Sequence, residues 1–591
     1  MRLPSSLVIL ALAYTSVART LRIRDHENYF YYALQLQEAS DPHQIASALG
    51  LQYEGPLGEI AGHHTFSSLK TRKHDADTLL EEARRRRRRR DLGKLGNLEG
   101  VLWSQKQKPK KRLVKRDILP HEAERQPPGN VEVVDPPADP SRPLPSGVNA
   151  EAVAQRTSLQ QELSIEDPIF AEQWHLFNAI QLGHDLNVTG VWQQGITGKG
   201  ATAVMVDDGI DMYSDDIKDN YFAKGSYDFN DNSEEPKPRL VDDRHGTRCA
   251  GEIAAVRNSV CGVGVAYDAK IGGLRILSKI ISDEDEAVAM NYAYQDNQIY
   301  SCSWGPPDDG RSMDAPGILI QKAMVNAVQK GRQGKGNLFV FAAGNGHGAG
   351  DNCNFDGYTN SIYTITIGGI DRKGIHGYYS EECSAQLGVS YSSGSGDAIH
   401  TTDVGVDKCY TNHGGTSAAA PLAAGVLALA LSARPELTWR DVQSLIVTTA
   451  VPVNEDDASW DTTFIGRKYS HAFGYGKIDA YALVEKAKSV ELLKPQAWYS
   501  SPWIHVKHPI PQGVEGLLSS FEIKQEDLKK ANMAKIEHVT ITMNVEHSRR
   551  GDLSVELRSP TKVASHLSVV RRLDDANEGY IDWTFMSVAH W

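Results

Sequence analysis

The chain has 591 residues, 40% hydrophobic and 23% charged, which excludes a wholly disordered or fibrous protein and suggests about three or four structural units. Its net charge of −12 is unevenly distributed, because residues 19–116 carry 21 basic and 12 acidic residues, whereas residues 117–591 carry 41 basic and 63 acidic ones. An acidic body after a basic front piece argues against nucleic-acid binding and is expected to attract cations.

The first eighteen residues have the pattern of a secretory signal peptide. Arg2 precedes an apolar run over 7–13, and Ser16-Val17-Ala18 supplies the small residues that a signal peptidase needs. The run is too short to span a membrane. A later apolar run over 417–433 is also short and contains Pro421, so we do not interpret it as a span.

A secreted chain exposes its cysteines to oxidation, and this chain has six, whose pairing the sequence leaves open. They are Cys249, Cys261, Cys302, Cys353, Cys383 and Cys409. Asn187 heads the sequon Asn-Val-Thr, so we expect it to be glycosylated.

Residues 19–83 have the mixed patterning of a small folded unit, and two basic clusters follow it. One is seven consecutive arginines over 84–90, and the other lies over 110–116 and ends in Lys115-Arg116. Either could be a solvated or nucleic-acid-binding tail, but in a secreted chain we favour processing sites. The Pro-rich, charged residues 117–165 are interpreted as a linker.

From residue 167 to about 491, short apolar runs alternate with helical spacing. The runs over 201–206, 299–304, 338–343 and 362–367 predict buried strands, and 285–294 and 318–328 predict helices. This alternation favours a parallel sheet covered by helices. After 495 the period changes to two, over 538–547 and 552–557, which predicts a separate all-β domain.

Three segments of the α/β region carry chemistry: 206–210 with Asp207, 244–252 with His245, and 413–421 with Ser417. A serine needs an imidazole to accept its proton, and the imidazole needs a carboxylate to fix its tautomer. Alone, each residue has an ordinary explanation as a turn aspartate, a loop histidine or a helix N-cap. Together, their chain order Asp, His, Ser is that of subtilisin.

The amino-acid sequence of these segments resembles that of the kexin and furin branch of the subtilisin-like serine proteases, the proprotein convertases. The resemblance covers nearly all of 165–590 and rests on Asp207-Asp208-Gly209, residues 245–252, Ser303-Trp304-Gly305-Pro306 and Gly415-Thr416-Ser417-Ala418. It implies that Asp207 orients His245, that His245 acts as base and then acid, and that Ser417 attacks the peptide carbonyl. It also implies that Asn345 donates to the oxyanion; without it, Asn345 would be read as a turn residue.

The resemblance further implies a subtilisin-like α/β catalytic domain over 166–491, preceded by a small α+β prodomain over 19–116 and followed by an all-β P domain over 495–591. Asp308 and Asp356 then line the pocket for a P1 arginine, Asp208 and Asp242 match positions that read a basic P2 residue, and Glu286 matches one facing P4. A buried arginine needs such paired carboxylates, although each acid alone would be read as a solvated side chain.

Calcium is the cofactor that the resemblance implies, and carboxylate and carbonyl oxygens suit this cation. The first site comprises the side chains of Asp167, Asp216 and Asn258 with the carbonyls of Val256, Val260 and Gly262. The second comprises Asp308, Asp351 and Glu381, beneath the P1 pocket. The implied disulfides are Cys261–Cys409 and Cys353–Cys383, with Cys249 and Cys302 left as thiols.

The chain contains a matching substrate, since Lys115-Arg116 precedes Asp117. We therefore expect self-cleavage after Arg116, with the prodomain acting first as intramolecular chaperone and then as inhibitor, and a second cut in the arginine run. Leu113 at P4 favours kexin-like Lys-Arg specificity over a strict furin-like one. Expected partners are secretory proproteins with dibasic sites, met by a monomeric enzyme in the late Golgi lumen; nucleic acid is not expected.

Two other interpretations stay open. A degradative subtilase of broad specificity would share the triad without needing the acidic pockets, and an inactive secretory binding protein could use the same scaffold. The family's P domain normally continues past the segment that ends here at Trp591, and kexins add a Ser/Thr-rich stalk and a membrane span. We accordingly expect the P domain to be incomplete in this chain.

Overall fold

The computed structural model describes residues 24–72, 74–89, 98–109, 113–116, 149–513 and 515–591. The signal peptide expected over 1–18, residues 117–148 of the expected linker, and part of each basic cluster (Arg90, and Lys110 to Arg112) lie outside these residues.

The N-terminal unit is a four-stranded antiparallel sheet in the order β2-β3-β1-β4, packed on two helices. Tyr32 and Phe66 from the sheet pack with Leu80 from the second helix in a small separate core. The elements are β1 (Tyr29–Leu36), α1 (Pro42–Leu49), β2 (Gln52–Pro56), β3 (His63–Leu69), α2 (Ala76–Arg88) and β4 (Val101–Gln107). Most of the arginine run is therefore helical.

The segment expected to be a linker must be shortened, because α3 (Ala150–Leu163) occupies its end. Asn149 caps this helix, its Oδ1 accepting from the amides of Glu151 and Ala152 at 3.0 and 3.1 Å. Leu159 is buried in the core of the following domain. The cap and the apolar contact outweigh the polar composition on which the linker prediction rested.

The central domain is built on seven parallel strands in the order β13-β12-β11-β9-β6-β8-β7. Each strand is short and almost wholly buried, as expected of a parallel sheet covered on both faces. The strands are β6 (Thr202–Asp207), β7 (Tyr227–Asp228), β8 (Lys270–Arg275), β9 (Ile299–Cys302), β11 (Leu338–Ala342), β12 (Thr364–Ile370) and β13 (Gln386–Tyr391). Short two-residue strands β5 (Val114–Lys115) and β10 (Trp304–Gly305) pair separately.

Helices and two hairpins surround this sheet. They are α4 (Thr189–Trp192), α5 (His245–Ala254), α6 (Asp283–Ala289), α7 (Ile318–Gly334), α8 (Thr416–Ala433), α9 (Trp439–Thr449) and α10 (Ala480–Ala487), with β14 (Ile399–Thr402), β15 (Cys409–His413), β16 (Asp461–Thr462) and β17 (Lys468–Tyr469). Among the described residues only α8 is long and apolar enough to cross a membrane, and 89% of it is buried inside the protein. We therefore describe α8 as the central core helix.

The bounds of two elements differ from those predicted from the sequence. The helix predicted over 285–294 begins at Asp283, because Ser282 and Asp285 form a capping box, and it ends at Ala289. The strand predicted over 299–304 is interrupted at Ser303, whose carbonyl turns toward the site described below.

The C-terminal region is all-β where it is packed. It contains β18 (Val539–Val545) paired with β21 (Tyr580–Ser587) and β19 (Val555–Arg558) paired with β20 (Ala564–Ser568), all antiparallel. Phe355 of the central domain joins its core. The described chain between 492 and 537 is mostly exposed and contains the short helix α11 (Gln525–Lys530).

Candidate active site

Asp207 and His245 meet at the carboxyl end of the parallel sheet. Asp207 is the last residue of β6 and His245 the first residue of α5. The imidazole Nδ1 lies 3.0 and 2.9 Å from the two carboxylate oxygens, and both side chains are buried. A carboxylate at Nδ1 holds the proton on that nitrogen and leaves Nε2 as the basic atom.

Asp208 fixes the start of α5 at the same edge. Its carboxylate accepts from the amides of His245 at 3.2 Å and Gly246 at 2.8 Å, and so satisfies amides at the positive end of the helix. A Cβ on Gly246 would lie 2.3 Å from the carbonyl oxygen of Gly209, so only glycine fits there. The helix that carries His245 is thereby pinned to β6.

Ser417 is the second residue of α8, after Gly415 with a φ of +73°. Pro421 lies four residues on and has no N–H to give to the Ser417 carbonyl. That carbonyl accepts instead from Ser303 Oγ at 3.1 Å and from Cys249 Sγ at 3.6 Å. Loop, α5 and α8 are thus joined at the serine, whose own Oγ donates to the Ser303 carbonyl at 3.3 Å.

The end of the N-terminal unit lies in this cleft in extended form. Lys115 pairs with Trp304 and Val114 with Gly305, antiparallel, and the Arg116 amide donates to the Ser303 carbonyl at 3.0 Å. Adding a strand to an exposed edge is a general mode of peptide recognition.

Two donors converge on the carbonyl oxygen of Arg116. The Ser417 amide lies 3.3 Å away and Asn345 Nδ2 lies 2.6 Å away. Fixed donors around one carbonyl are the arrangement that stabilises an oxyanion during acyl transfer. Asn345 follows β11, so the sheet edge positions this donor too.

The Arg116 side chain is fully buried in an acidic pocket. Its guanidinium lies 2.6 Å from Asp356 Oδ2 and 3.3 Å from Asp308 Oδ1, and it also donates to the Ala342 carbonyl. Burial alone would lower the pKa of Arg116, but Asp308, Asp356 and Glu381 raise it above its usual value. The pocket therefore holds a charged arginine.

Lys115 occupies a second acidic position. Its Nζ binds the Asp208 carboxylate and lies 2.9 Å from the Asp242 carbonyl. Burial and the neighbouring Asp207 raise the pKa of Asp208 to about 6. Asp242, the other position expected to read P2, contacts the lysine through its carbonyl, and its charge is one of those that raise the pKa of Lys115.

Glu286, expected to face P4, is buried and accepts from the Tyr358 hydroxyl. The residue at P4 in this chain is Leu113, which packs against the apolar core. Within the described residues 113–116, the P4 position is therefore occupied by an apolar side chain.

Residues of the first expected calcium site contain buried oxygens that suit a cation. Asp167 Oδ2 and Asp216 Oδ1 are buried and have no hydrogen-bond partner among the residues that the structure describes. Burial raises the pKa of Asp167 to about 7 and that of Asp216 to about 8. Asn258 lies beside them, since its main-chain amide donates to Asp167 Oδ1 at 3.1 Å. This donor set fits a hard cation.

The second expected calcium site lies beside the arginine pocket. Asp308, Asp351 and Glu381 line one small cavity together with Asp356. Burial and the repulsion of Asp308 and Asp351 raise the pKa of Glu381 well above its usual value. A cation here would relieve that repulsion.

Cys261–Cys409 and Cys353–Cys383 are disulfides, and Cys249 and Cys302 are buried and belong to neither. Asn187 of the sequon is exposed, and its Nδ2 lies 3.0 Å from Asp479 Oδ1.

Sequence reasoning did not single out three groups of the site. The Ser303 and Ala342 carbonyls are main-chain atoms, which no side-chain pattern marks, although both lie at the ends of predicted strands. Arg571 of the C-terminal region contacts Asp351, 220 residues away in sequence. Only a fold could bring these two together.

Comparison with known proteins places the site in a family. Residues 198–476 match the model of the subtilase family, and residues 536–591 match the proprotein convertase P-domain. The chain is 44% identical over 598 residues to protease KEX1 of Kluyveromyces lactis, covering 100% of this chain and 72% of that protein. It is 54% identical over 437 residues to the dibasic-processing endoprotease of Yarrowia lipolytica, covering 73% of this chain and 45% of that protein.

Among solved structures, a serine protease of Aeromonas sobria superposes with a TM-score of 0.59 at 21% identity, covering 72% of this chain and 86% of that one, which shows the shared fold. The chain spans 45 to 72% of the length of the two relatives named above. These matches confirm the predicted fold class, a subtilisin-like domain followed by a P domain. The chain therefore belongs to the subtilase family, in its branch of kexin-like proprotein convertases.

Proposed function

We propose that this chain is a serine endopeptidase that cleaves after paired basic residues, Lys-Arg in particular. One observation carries the proposal: Lys115-Arg116 lies extended in the cleft, with both side chains on carboxylates and the Arg116 carbonyl between Asn345 and Ser417. The relative in Yarrowia lipolytica bears the name dibasic-processing endoprotease, which agrees with this specificity.

The chemistry follows from the arrangement. His245, held by Asp207, takes the proton of the Ser417 hydroxyl as Oγ bonds to the P1 carbonyl carbon. The oxyanion so formed accepts from Asn345 Nδ2 and the Ser417 amide. His245 then gives its proton to the leaving amine, the peptide bond breaks, and water releases the acyl group by the same steps in reverse roles.

The first bond cut is proposed to be that after Arg116, within the same molecule. The prodomain over 19–116 then stays in the cleft through Lys115 and Arg116 and acts as an inhibitor until it is cut again. The arginine run offers that second site, but its residues 84–88 are helical, and Arg84 Nη2 donates to the Ser104 carbonyl at 2.6 Å. Because a strand-pairing cleft takes extended peptide, this helix end must unwind first.

Calcium is proposed as the cofactor at both acidic sites. Asp167, Asp216 and Asn258, with the carbonyls of Val256, Val260 and Gly262, would hold one ion; Asp308, Asp351 and Glu381 would hold the other. A bound ion would supply charge compensation and rigidity, not a reacting group.

The proposed setting is the secretory pathway, at the late Golgi, with proproteins as substrates and a monomeric enzyme. The leader pattern, the two disulfides and the kexin-like relatives support it.

The test is cleavage of three peptides that differ only at P2-P1: Lys-Arg, Ala-Arg and an apolar pair. We expect Lys-Arg to be cut fastest, no cutting by Ser417→Ala, and loss of activity after calcium chelation that added calcium restores. Equal cutting of all three would favour the degradative subtilase, and a wild type inert toward all three would favour the inactive binding protein.

A further inference from the structure

Arg571 is a P-domain residue that is buried against the catalytic domain. It follows β20, and its side chain is 0% exposed. Nη1 lies 3.0 Å from Asp351 Oδ1 and 2.7 Å from the Ser312 carbonyl, and Nη2 lies 3.2 Å from the Arg311 carbonyl. The guanidinium stacks 3.6 Å above the Phe355 ring. One side chain thus joins the two domains through both charge and geometry.

The contacts of Arg571 lead directly to the P1 pocket. Asp351, Asp308 and Asp356 line the same small cavity. The Arg116 guanidinium approaches this acid cluster from the cleft, and the Arg571 guanidinium approaches it from the P domain. Besides the calcium ion proposed above, the cluster therefore has the substrate guanidinium on one side and the Arg571 guanidinium on the other.

The loop over 308–312 connects Arg571 to the P1 pocket. Arg571 binds the carbonyls at its far end, and Asp351 Oδ2 accepts from the Gly310 amide at 2.8 Å. At its near end, Asp308 accepts from Arg116 at 3.3 Å and from the Asn345 amide at 2.8 Å. A shift of the loop would move a carboxylate of the P1 pocket and the main chain of the proposed oxyanion donor together.

We propose that Arg571 is a positioning residue for P1 selectivity, through which the P domain holds Asp308 and Asp351 in the geometry that a P1 arginine requires. The proposal rests on the proposed function. The P domain would then contribute to substrate selectivity through the two terminal nitrogens of the Arg571 guanidinium.

These contacts require the planar guanidinium group of arginine and not only its positive charge. Arg571 uses both terminal nitrogens on acceptors from two separate segments, which a lysine ammonium cannot span. Asp574 holds the guanidinium from behind, and Arg550 Nη2 adds a bond to the Arg311 carbonyl at 2.8 Å. The arrangement therefore predicts that lysine does not replace arginine here.

The experiment compares kcat/KM for two peptides, Lys-Arg and Lys-Lys at P2-P1, with wild type, Arg571→Gln and Arg571→Lys. We expect both variants to lose about tenfold on the P1 arginine peptide, chiefly through KM, and to change little on the P1 lysine peptide. The Arg-to-Lys ratio is independent of how much enzyme is folded, so a loss of folded protein alone does not move it.

Arg572→Gln is the matched control, because it removes the same charge from the adjacent exposed position and should keep the wild-type ratio. If Arg571 variants do not fold, Asp574→Asn loosens the same guanidinium from within the P domain and should lower the ratio in the same direction. If wild type cuts the Lys-Arg peptide but the Arg571 variants keep the wild-type ratio, this inference is overturned and the proposed function stays intact. The same holds if Arg571→Lys has the full wild-type ratio. A wild type that cuts neither peptide overturns the proposed function itself.

Discussion

Thr416 fixes the orientation of Asn345. The Thr416 amide and its hydroxyl both lie 2.9 Å from Asn345 Oδ1, so that oxygen is fully engaged as an acceptor. The amide nitrogen must then face the other way, where it lies 2.6 Å from the Arg116 carbonyl. The residue next to the nucleophile thus aims the proposed oxyanion donor.

Asn345→Ala should lower kcat by about 100- to 1000-fold with little change in KM, because it removes a donor that acts mainly in the transition state. Steady-state kinetics on a Lys-Arg peptide measures this. Thr416→Val, which keeps the shape but removes the hydroxyl, should have a smaller effect of the same kind. A large rise in KM with unchanged kcat would mean that Asn345 only binds the ground state.

Asp356→Asn should weaken binding of a P1 arginine more than Asp308→Asn does. The Asp356 carboxylate is 2.6 Å from the guanidinium and nearly buried, whereas Asp308 is 3.3 Å away and more open to water. Unpairing a buried charge costs about 2–5 kcal/mol, which is a loss of roughly 30-fold or more in kcat/KM. The inhibition constant of a product peptide that ends in Lys-Arg, measured on the two matured variants and on wild type, separates binding from catalysis, and the reverse order of the two variants would contradict the assignment.

The preference for a P2 lysine should weaken as the pH falls toward about 6. Burial and Asp207 raise the pKa of Asp208 to about 6, while Lys115 and His245 oppose that rise. An acid with a raised pKa keeps its charge above that value and loses it below, so Asp208 attracts P2 lysine at neutral pH and not at pH 5. Without a P2 lysine the pKa is expected to be higher still, so the preference should begin to weaken above pH 6 and be largely lost by about pH 6.

The measurement is the ratio of kcat/KM for Lys-Arg and Ala-Arg peptides from pH 5 to 8. Any effect of pH on the chemical step that is common to the two peptides cancels in the ratio. A ratio that is flat with pH would show that Asp208 stays charged throughout, and Asp208→Asn should make it flat by construction.

The sequence predicted the site best where function depends on side chains with a strict order. Asp207, His245 and Ser417 were identifiable because a strand end, a helix start and a glycine-led helix each carry one reactive group. Lys115 and Arg116 match the pattern of a dibasic cleavage site, and the structure places both side chains on carboxylates. Their placement in the cleft was an expectation of the family, since no local pattern reveals what a distant segment binds.

The sequence did not predict the contacts that are made by main-chain atoms or between distant segments. The carbonyls of Ser303 and Ala342 receive the substrate segment, yet every residue has a carbonyl. The helix after Asn149 was obscured by the proline-rich stretch that precedes it, and its docking depends on Leu159 finding a distant core. Contacts across the fold decided each of these features.

Calcium removal should lower the thermal midpoint of wild type by about 5 °C, and more at pH 8 than at pH 5. In the absence of the ion, burial raises the pKa of Asp216 to about 8, above its unfolded value near 4. The folded state then keeps a proton that the unfolded state has lost, so stability falls as the pH rises between these values. Calcium at saturation removes that loss.

Asp216→Asn tests the same site, because its effect on stability should have opposite signs in chelator and in calcium. In chelator at pH 8 it should be more stable than wild type, because asparagine is neutral without taking up a proton, and in calcium it should be less stable, because a ligand is gone. Asp219→Asn, at an exposed position nearby, should follow wild type in both conditions. Parallel curves for wild type and Asp216→Asn would exclude Asp216 as a ligand.

Ser417→Ala should leave the prodomain attached, because we expect the bond after Arg116 to be cut within the same molecule. The Arg116 carbonyl already lies 3.3 Å from the Ser417 amide, which makes the nearest serine that of its own chain. Mass spectrometry of secreted protein should find a new N-terminus at Asp117 in wild type and none in the variant. Co-expression with wild type distinguishes the order of the reaction: a variant that stays uncut supports cleavage in cis, whereas full processing of the variant would show that one molecule cuts another.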